Sequence, residues 1–455
     1  MMSLAEAARA IGARAEGEAR FAGVCTDSRT VRAGELFVAL RGERHDGHAF
    51  VSAAAARGAV AAMVDERSRA EGGEAPLPLL VVEDTRSALG RLGAHWRRRF
   101  APTVVAIAGS NGKTTTKEML AAILRAHAGE AGVLATEGNL NTDIGVPLTL
   151  LRLRPEHRYC AIEIGMNHPG EVAPLAAMAA PAIAVVTNAQ REHMEFMRSV
   201  EACARENAAV YEALPSDGVA VVNADDAHAG IFLSAAGRRR TVRFGLEAPA
   251  EVRGGYALKP LTSEIVLRTP AGEASATLAI PGLHNVRNAL AAAACGFAAG
   301  IAPQVIACGL TAFRPAPGRL VTRHLASGAI LVDDTYNANP DSVRAAIDVL
   351  AQLPAPTLLI LGDMGEVGEF APDFHREVGE YAKRRGISRL AATGPASRAA
   401  VEAFGAGAAH FDDIAALARA AEGAASVLVK GSRFMRMERV VALLAGEPSA
   451  LAGAH

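Results

Sequence analysis

The sequence predicts an α/β protein of three domains arranged around one phosphate-binding loop. At 455 residues the chain is long enough for about three domains of ordinary size. Short β-branched runs recur between residues 104 and 429, and polar or glycine-containing turns follow them. A glycine-rich loop joins the first of these runs to a helical pattern. We therefore expect an N-terminal α/β domain at 1–100, a central doubly wound parallel sheet with antiparallel strands added at 101–313, and a C-terminal Rossmann-like domain at 314–455.

Composition and charge exclude several classes of protein. The formal net charge is −1, so no overall positive field exists to hold nucleic acid or an anionic membrane. The basic helix end at 96–100 is not followed by interleaved aromatic residues and is predicted to form a solvated face. The five cysteines show no C-x-x-C spacing, and the first residues show no signal-peptide pattern. We therefore expect reduced thiols, a cytoplasmic location and no membrane span.

The N-terminal domain carries polar residues in the loops that flank one strand. Residues 36, 38 and 40 are apolar and alternate with other positions, which predicts that strand. Ser28 and Arg29 precede it, and Asp46 and His48 follow it, in loops where polar side chains can face a ligand. The same residue types form turns on solvated faces, so both interpretations stay open.

The phosphate-binding loop lies between a buried strand at 104–108 and a helix at 114–124. Backbone N–H groups and the helix N-terminus can bind an anion there, Lys113 adds positive charge, and the Thr114 hydroxyl can ligate Mg²⁺. The loop is shorter than the general G-x-x-x-x-G-K-[ST] pattern, because Ile107 stands where the first glycine would be. ATP is the predicted ligand, and a Gly-Lys-Thr turn without a nucleotide is the alternative. The predicted binding residues are Gly109, Ser110, Asn111, Gly112, Lys113, Thr114 and Thr115.

Two further strands of the central domain end in residues that can bind a cation. Glu163 lies near the end of the run 160–164, and His193 follows the run 183–187. In a doubly wound sheet, ligands lie beyond the carboxyl ends of the strands, so both side chains should approach Lys113. A carboxylate and an imidazole there can supply ligands to Mg²⁺. Taken alone, Glu163 could be a salt-bridged carboxylate and His193 an ordinary surface histidine.

The end of the central domain has a different pattern. Three runs are predicted to be antiparallel strands, at 241–244, 264–267 and 276–280. In the alanine-rich helix that follows, Asn285 and Asn288 are three residues apart, so both amides can face one planar group such as a purine. Helix capping by one asparagine is the alternative. After a proline-rich bend at 314–319, the C-terminal domain is predicted to have strands at 329–332, 357–361, 390–393 and 427–429.

Several motifs together make the chain resemble the Mur ligase family, the ATP-dependent amide ligases that extend the peptide of the peptidoglycan precursor. The resemblance covers nearly the whole chain and is closest to the member that adds D-alanyl-D-alanine. The Asp-Asn-Pro-Arg signature of the diaminopimelate-adding member is absent. The motifs that carry the resemblance are those at 27–29, 46–48, 109–115, 138–142, 333–340, 361–364 and 430–433.

The resemblance implies that ATP and Mg²⁺ drive the joining of D-Ala-D-Ala to UDP-MurNAc-tripeptide through an acyl phosphate. It implies three domains, of which the N-terminal one binds the UDP end of the substrate and the C-terminal one closes over a central ATPase domain. We expect the protein to be a monomer. The implied catalytic residues are Lys113, Glu163, His193 and Arg319. The implied nucleotide contacts outside the loop are Asn285 and Asn288 to the adenine, Arg319 to the γ-phosphate and Asp334 to the ribose. The implied substrate contacts are Ser28, Arg29, Asp46 and His48 to the uridine nucleotide, and Asn141 and Thr142 to the muramoyl-peptide.

One departure from the family pattern concerns Mg²⁺. Several family members carry a carbamylated lysine in the helix after the His193 loop, whereas residues 200–209 here contain no lysine. Glu206 could supply a carboxylate instead, which is an equivalent oxygen ligand for a hard cation. The predicted metal ligands are therefore Thr114, Glu163, His193 and Glu206.

Other functions remain as alternatives. The nearest is another amide ligase of the same architecture, such as the one that adds the third residue or a folylpolyglutamate synthase. A stand-alone P-loop ATPase would turn over ATP without an acceptor, and it leaves the N-terminal polar motifs unexplained. A nucleotide-sensing module without catalysis is disfavoured by Glu163 and His193, which stand where chemistry would need Mg²⁺.

Overall fold

Three α/β units follow one another along the chain in the computed structural model, which describes residues 1–42, 45–71 and 75–447. Each unit has its own mainly parallel sheet, and helices connect many of the consecutive strands. The predicted fold class is thereby confirmed. Within the described ranges, no helix is both long and apolar enough to cross a membrane.

The N-terminal unit combines a two-stranded ribbon, β1 with β3, and a five-stranded sheet of order β2-β7-β6-β5-β4. Only β2 runs antiparallel to its neighbour in the larger sheet. Its strands are β1 (Met2–Ser3), β2 (Arg14–Glu16), β3 (Arg20–Phe21), β4 (Gly23–Cys25), β5 (Glu35–Val38), β6 (Ala61–Asp65) and β7 (Leu79–Val82). Its helices are α1 (Leu4–Ile11), α2 (Val51–Ala56), α3 (Glu66–Glu71) and α4 (Thr85–Arg97).

The central unit is a nine-stranded sheet of order β16-β15-β14-β13-β12-β11-β8-β10-β9. Its strands are β8 (Thr103–Ala108), β9 (Val133–Ala135), β10 (Tyr159–Glu163), β11 (Ile183–Val186), β12 (Val219–Asn223), β13 (Arg240–Gly245), β14 (Val252–Leu258), β15 (Ser263–Thr269) and β16 (Gly272–Leu278). Its helices are α5 (Lys113–Ala128), α6 (Gly145–Leu150), α7 (Val172–Ala179), α8 (Met194–Met197), α9 (Val200–Ala208), α10 (Ala229–Ala236), α11 (Leu283–Ala298) and α12 (Pro303–Ala312).

The prediction of antiparallel strands at 241–280 is wrong for its first member. β13 pairs parallel with β12, because α10 forms a crossover between the two strands. β14 was not predicted, and its interior Gly254 and Gly255 explain why, since glycine weakens a strand pattern. β15 and β16 are antiparallel as predicted.

The C-terminal unit is a six-stranded sheet of order β17-β18-β22-β19-β20-β21, in which only β17 is antiparallel to its neighbour. Its strands are β17 (Val321–His324), β18 (Ile330–Asp334), β19 (Thr357–Leu361), β20 (Arg389–Ala392), β21 (Ala408–His410) and β22 (Ser426–Lys430). Its helices are α13 (Pro340–Leu350), α14 (Ala371–Arg384), α15 (Arg398–Phe404), α16 (Ile414–Arg419) and α17 (Glu438–Ala445).

The end of α4 is an interface between the N-terminal and central units, so the prediction of a wholly solvated face at 96–100 is wrong. Trp96 and Arg97 are 5% and 9% exposed. The Trp96 indole N–H donates to Leu153 O at 3.1 Å, and the Arg97 guanidinium donates to Ala179 O at 3.0 Å. Arg97 lies there because three carbonyl oxygens, including those of Phe100 and Ala180, replace its water contacts.

Candidate active site

A cavity of about 680 Å³ lies where the carboxyl edge of the central sheet meets the C-terminal unit. β8 lies between β10 and β11 in the sheet, so the loops after these three strands reach the same edge. The predicted residues that line the cavity are Ser110, Asn111, Gly112, Lys113, Thr114, Thr115, Asn141, Thr142, Glu163, His193, Asn285, Asn288, Arg319 and Asp334. The structure thus brings most of the predicted site together. The cavity lining does not include Gly109, Ser28, Arg29, Asp46, His48 or Glu206.

The phosphate loop depends on two glycines with positive φ. Gly109 has φ +125° and Gly112 has φ +81°. A Cβ atom on Gly109 would overlap the Thr187 side chain, and one on Gly112 would overlap the Asn288 amide. Gly112 is also the N-cap of α5, which begins at Lys113. The loop therefore presents the positive end of a 16-residue helix at the cavity.

Three oxygens hold the Lys113 ammonium at this loop. Nζ donates to Gly109 O at 2.6 Å, to Ser110 O at 3.1 Å and to Glu192 Oε1 at 2.6 Å. The Lys113 and Glu192 side chains are only 12% and 11% exposed, so little water screens the ion pair. Glu192 was not among the predicted site residues, because the fold rather than the local pattern pairs it with Lys113.

Glu163 has one satisfied and one unsatisfied oxygen. Its Oε1 accepts a hydrogen bond from Asn141 Nδ2 at 2.8 Å, whereas Oε2 is buried and has no hydrogen-bond partner among the described residues. Glu192 Oε2 is buried and unpartnered in the same way. Burying a charged carboxylate oxygen without a partner costs free energy, and binding of a hard cation such as Mg²⁺ offsets this cost. In the described parts of the chain, no group of three or more His, Cys, Asp and Glu residues could hold a metal ion. Mg²⁺ would therefore also need ligands of other kinds, such as the Thr114 hydroxyl and phosphate oxygens.

His193 lies between the two domains that form the cavity. Its backbone adopts φ +48°, an uncommon conformation for a residue other than glycine. Nδ1 is 2.7 Å from Glu366 Oε2 of the C-terminal unit, an ion-pair distance without hydrogen-bond alignment. Nε2 is 3.7 Å from Glu192 Oε1. The contact with His193 holds the pKa of Glu366 below its ordinary value despite burial.

Glu206 does not reach the cavity. Its Oε2 accepts from Gly170 N–H at 2.8 Å and its Oε1 from Val172 N–H at 2.9 Å, at the N-terminus of α7. The adjacent Asn207 reaches the phosphate loop instead, and sequence reasoning missed it. Asn207 is 1% exposed, and its Oδ1 accepts from Gly109 N–H at 2.7 Å. The helix α9, predicted to supply a metal ligand, thus supports the loop through an amide.

The predicted adenine contacts are buried within α11. Asn288 Nδ2 donates to Asn285 Oδ1 at 3.2 Å, and Asn285 Nδ2 donates to Pro281 O at 2.7 Å. The N-cap of α11 is Gly282, so helix capping does not explain either asparagine. Burial is the main cause that lowers the pKa of His284 to about 4, and nearby positive charges are the second cause. This residue of the cavity lining is therefore neutral at pH 7.

The C-terminal unit contributes both predicted residues and one that was missed. The Arg319 guanidinium carbon lies 3.9 Å from the centroid of the Tyr336 ring, which fixes its direction. Asp334 accepts from Leu320 N–H at 3.2 Å and forms an ion pair with Lys430. Lys430 is the last residue of β22 and lines the cavity. Its position at a strand's carboxyl end was the signal that could have identified it.

The four N-terminal residues lie at a different sheet edge. Ser28 and Arg29 follow β4, and Asp46 and His48 follow β5, its parallel neighbour. Asp46 accepts from the His48 backbone N–H at 3.0 Å, and His48 Nε2 accepts from Asp65 N–H at 3.1 Å. The first bond closes a turn, as the turn interpretation requires, and the second joins His48 to the end of β6. The assignment of the four residues to a uridine nucleotide stays a prediction.

Comparisons with known proteins bear on the whole chain. Family models match at 20–97 (Mur ligase family, catalytic domain), 107–296 (Mur ligase middle domain) and 318–433 (Mur ligase, glutamate ligase domain). A relative in Escherichia coli (strain K12), the UDP-N-acetylmuramoyl-tripeptide--D-alanyl-D-alanine ligase, is 41% identical over 92% of this chain and 93% of its own. The chain belongs to the Mur ligase family. The ligase of the same name in Bacillus subtilis (strain 168) is 34% identical over 94% of this Mur ligase and 93% of that protein.

Solved structures of Mur ligases share the fold of this chain. MurF from Acinetobacter baumannii aligns with a TM-score of 0.90 at 34% identity, over 98% of this chain and 99% of that one. MurF from Thermotoga maritima in complex with ADP aligns with a TM-score of 0.80 at 26% identity, over 93% and 97% of the two chains. The Mycobacterium tuberculosis folylpolyglutamate synthase, at 16% identity and a TM-score of 0.64, covers 80% of this chain and 95% of its own, and shares the fold alone.

Proposed function

We propose that this Mur ligase uses ATP to join D-Ala-D-Ala to UDP-MurNAc-tripeptide, giving the pentapeptide precursor of peptidoglycan. The observation that carries the proposal is the 41% identity to a ligase of that name along nearly the whole of both chains. The cavity supports it, because a phosphate loop, buried carboxylates and positively charged side chains from two domains lie together there. The alternative folylpolyglutamate synthase rests on a shared fold at 16% identity and is not favoured. The cytoplasmic location and the monomeric state stay predictions.

The residues around the cavity suit ATP and Mg²⁺. The loop 109–115 would bind the triphosphate, Asn285 and Asn288 the adenine, Asp334 the ribose and Arg319 the γ-phosphate. Thr114, Glu163 and His193 would hold Mg²⁺, and the unpartnered Glu163 Oε2 is the observation that favours a cation there. When bound, Mg²⁺ would offset negative charge on the phosphates.

The reaction needs activation because a carboxylate repels an incoming amine and has no leaving group. We infer that the terminal carboxylate of the tripeptide attacks the γ-phosphorus, forming a new oxygen–phosphorus bond while the bond to ADP breaks. Lys113 and Arg319 stabilise the charge on the transferring phosphoryl group. The product of this step is an acyl phosphate.

In the second step the neutral amine of D-Ala-D-Ala attacks the acyl carbon. The amide bond forms, the carbon–oxygen bond to phosphate breaks and the amine loses its proton. Phosphate therefore leaves with one oxygen that began in the tripeptide carboxylate. No serine or cysteine nucleophile takes part.

Water would destroy the acyl phosphate, so the intermediate requires shielding. Both sides of the cavity supply residues that could do this. Asn111 of the phosphate loop and Asn339 of the C-terminal unit exchange amide hydrogen bonds of 2.8 and 3.4 Å across the boundary. We propose that closure of the C-terminal domain excludes water and delivers Arg319 to the γ-phosphate.

The test is phosphate release from ATP and Mg²⁺ by the purified protein in three mixtures. One contains no acceptor, one contains UDP-MurNAc-tripeptide, and one contains the tripeptide with D-Ala-D-Ala. We expect sustained release only in the third, with a pentapeptide product by mass spectrometry. Equal release in all three would identify a stand-alone ATPase instead.

A further inference from the structure

The loop 188–193, which we call the coupling loop, contacts two neighbours with alternating residues. Asn188, Gln190 and Glu192 bond to the phosphate loop. Arg191 and His193 contact the C-terminal unit. One short loop of six residues thus contacts both the phosphate loop and the C-terminal unit.

On the side of the phosphate loop, the contacts follow its chain in order. Ser110 N–H donates to Asn188 O at 2.9 Å, and Asn111 N–H donates to Asn188 Oδ1 at 3.0 Å. Gln190 Oε1 accepts from Asn111 Nδ2 at 2.7 Å. Glu192 completes the series through Lys113. A shift of the coupling loop would therefore move the groups that position the phosphate loop.

On the side of the C-terminal unit, Arg191 is bound by two carboxylates. Its Nη2 donates to Asp341 Oδ1 at 2.6 Å and its Nη1 to Glu377 Oε2 at 2.6 Å. Its backbone N–H also donates to Asp341 Oδ2 at 2.9 Å, and its guanidinium lies 5.1 Å from the Phe374 ring centroid. Asp341 belongs to α13 and Glu377 to α14. A planar guanidinium held by two carboxylates has a specific direction, which a flexible ammonium would not have.

The environment makes this contact stronger than an ordinary surface ion pair. The Arg191, Asp341 and Glu377 side chains are 19%, 20% and 30% exposed. Burial opposes the charge on Arg191, but the hydrogen bonds that its guanidinium donates to the two carboxylates raise its pKa above the ordinary value. The contact joins two domains, and Arg191 directly precedes Glu192 in the chain.

We propose that Arg191 is a positioning residue for phosphoryl transfer. Its contacts with Asp341 and Glu377 hold the coupling loop when the C-terminal domain is closed, and Glu192 then sets the Lys113 ammonium at the phosphate loop. Arg191 touches no reacting atom in this scheme. The proposal rests on the proposed ligase function only for its kinetic consequence.

The kinetic consequence is that loss of the Arg191 contacts lowers kcat and leaves KM nearly unchanged. Arg191→Met should lower kcat by about 10- to 100-fold, because misplacing a charge-stabilising group affects the transition state most. KM for UDP-MurNAc-tripeptide should change by less than about twofold, because uniform substrate binding is not altered. Arg191→Lys keeps the charge but loses the planar guanidinium, so its kcat should lie between those of Arg191→Met and the parent.

The matched control is Arg344→Met. Arg344 also donates to Glu377, at 3.0 Å, but both residues belong to the C-terminal unit. If a structural contribution of Glu377 were responsible, both variants would behave alike. We expect Arg344→Met to keep the parent kcat, and equal losses in the two variants would overturn the proposal.

A second readout needs no acceptor substrate. Hydrogen exchange of the backbone amides at 109–115, with ATP and Mg²⁺ present, should be faster in Arg191→Met than in the parent and in Arg344→Met. Unchanged exchange in Arg191→Met would overturn the proposal. A parent protein without ligase activity would count against the proposed function alone, since the exchange measurement still decides the role of Arg191. Glu377→Gln and Asp341→Asn repeat the comparison from the other side if Arg191→Met does not fold.

Discussion

Two carboxylate oxygens in the cavity, Glu163 Oε2 and Glu192 Oε2, are buried without a hydrogen-bond partner. A folded protein rarely leaves such oxygens unsatisfied, because each buried polar atom without a partner costs about 1–3 kcal/mol. Lys113 lies against the second carboxylate and Asn141 against the first. At the residue scale, these two oxygens are the observation that favours the proposed Mg²⁺, which would offset their charge together with bound phosphate.

Glu163→Gln should raise the Mg²⁺ concentration needed for half-maximal turnover by about tenfold or more. The amide keeps the hydrogen bond with Asn141 but removes the charge from the unpartnered position. The measurement is phosphate release titrated with MgCl₂ at saturating ATP. Glu195→Gln is the control, because this exposed residue follows His193 by two positions and does not line the cavity. An unchanged Mg²⁺ requirement in Glu163→Gln would remove Glu163 from the metal site.

At the scale of elements, Glu206 acts on a helix rather than on the cavity. Its two oxygens accept hydrogen bonds from backbone N–H groups at the start of α7, where a helix has unpaired donors and the positive end of its dipole. Glu206→Ala should therefore lower the free energy of unfolding by about 1 kcal/mol. Its Mg²⁺ requirement should stay that of the parent, contrary to the expectation from sequence.

Urea denaturation followed by circular dichroism measures the stability part of this prediction. Glu201→Ala is the control on the same helix, because Glu201 pairs with Arg205 at the surface. A pair of this kind contributes about 0.5 kcal/mol or less. A raised Mg²⁺ requirement for Glu206→Ala without a loss of stability would restore Glu206 as a metal ligand.

The helix that carries the phosphate loop is packed closely by α12. A Cβ atom on Gly309 would overlap the backbone of Ile123 in α5. Gly309→Ala should destabilise the protein by about 1–3 kcal/mol, as overpacked sites do. Gly230→Ala in α10 is the matched control, since nothing lies within 4 Å of the added atom and alanine favours a helix. Equal unfolding midpoints for the two variants in urea would show that α5 and α12 separate at little cost.

The elements that sequence predicts well are those whose signal is local. The phosphate loop combines a buried strand, two glycines and a helix start within a few residues, and β19 was predicted at its observed bounds. The direction of β13 was not predictable in this way, because it depends on the crossover through α10. Lys430 and Glu192 likewise gain their partners only when separate elements pack together.

At the scale of the whole molecule, the cavity exists because domains meet. The central unit supplies the phosphate loop and the carboxylates, and the C-terminal unit supplies Arg319, Asp334 and Lys430. The sequence predicts which residues lie at strand ends but not the distances between domains. The contacts of Arg191 with Asp341 and Glu377 could therefore be found only in the structure. We predict one chemical consequence of this assembly, which is the transfer of an oxygen atom from the substrate carboxylate to phosphate.

The most direct measurement uses UDP-MurNAc-tripeptide with ¹⁸O at both oxygens of its terminal carboxylate. Turnover with ATP, Mg²⁺ and D-Ala-D-Ala in ordinary water should release phosphate that carries one ¹⁸O atom for each pentapeptide formed, because the carboxylate oxygen leaves with the phosphoryl group. Mass spectrometry of the phosphate gives the result. Phosphate without ¹⁸O, formed along with pentapeptide, would contradict the acyl-phosphate route.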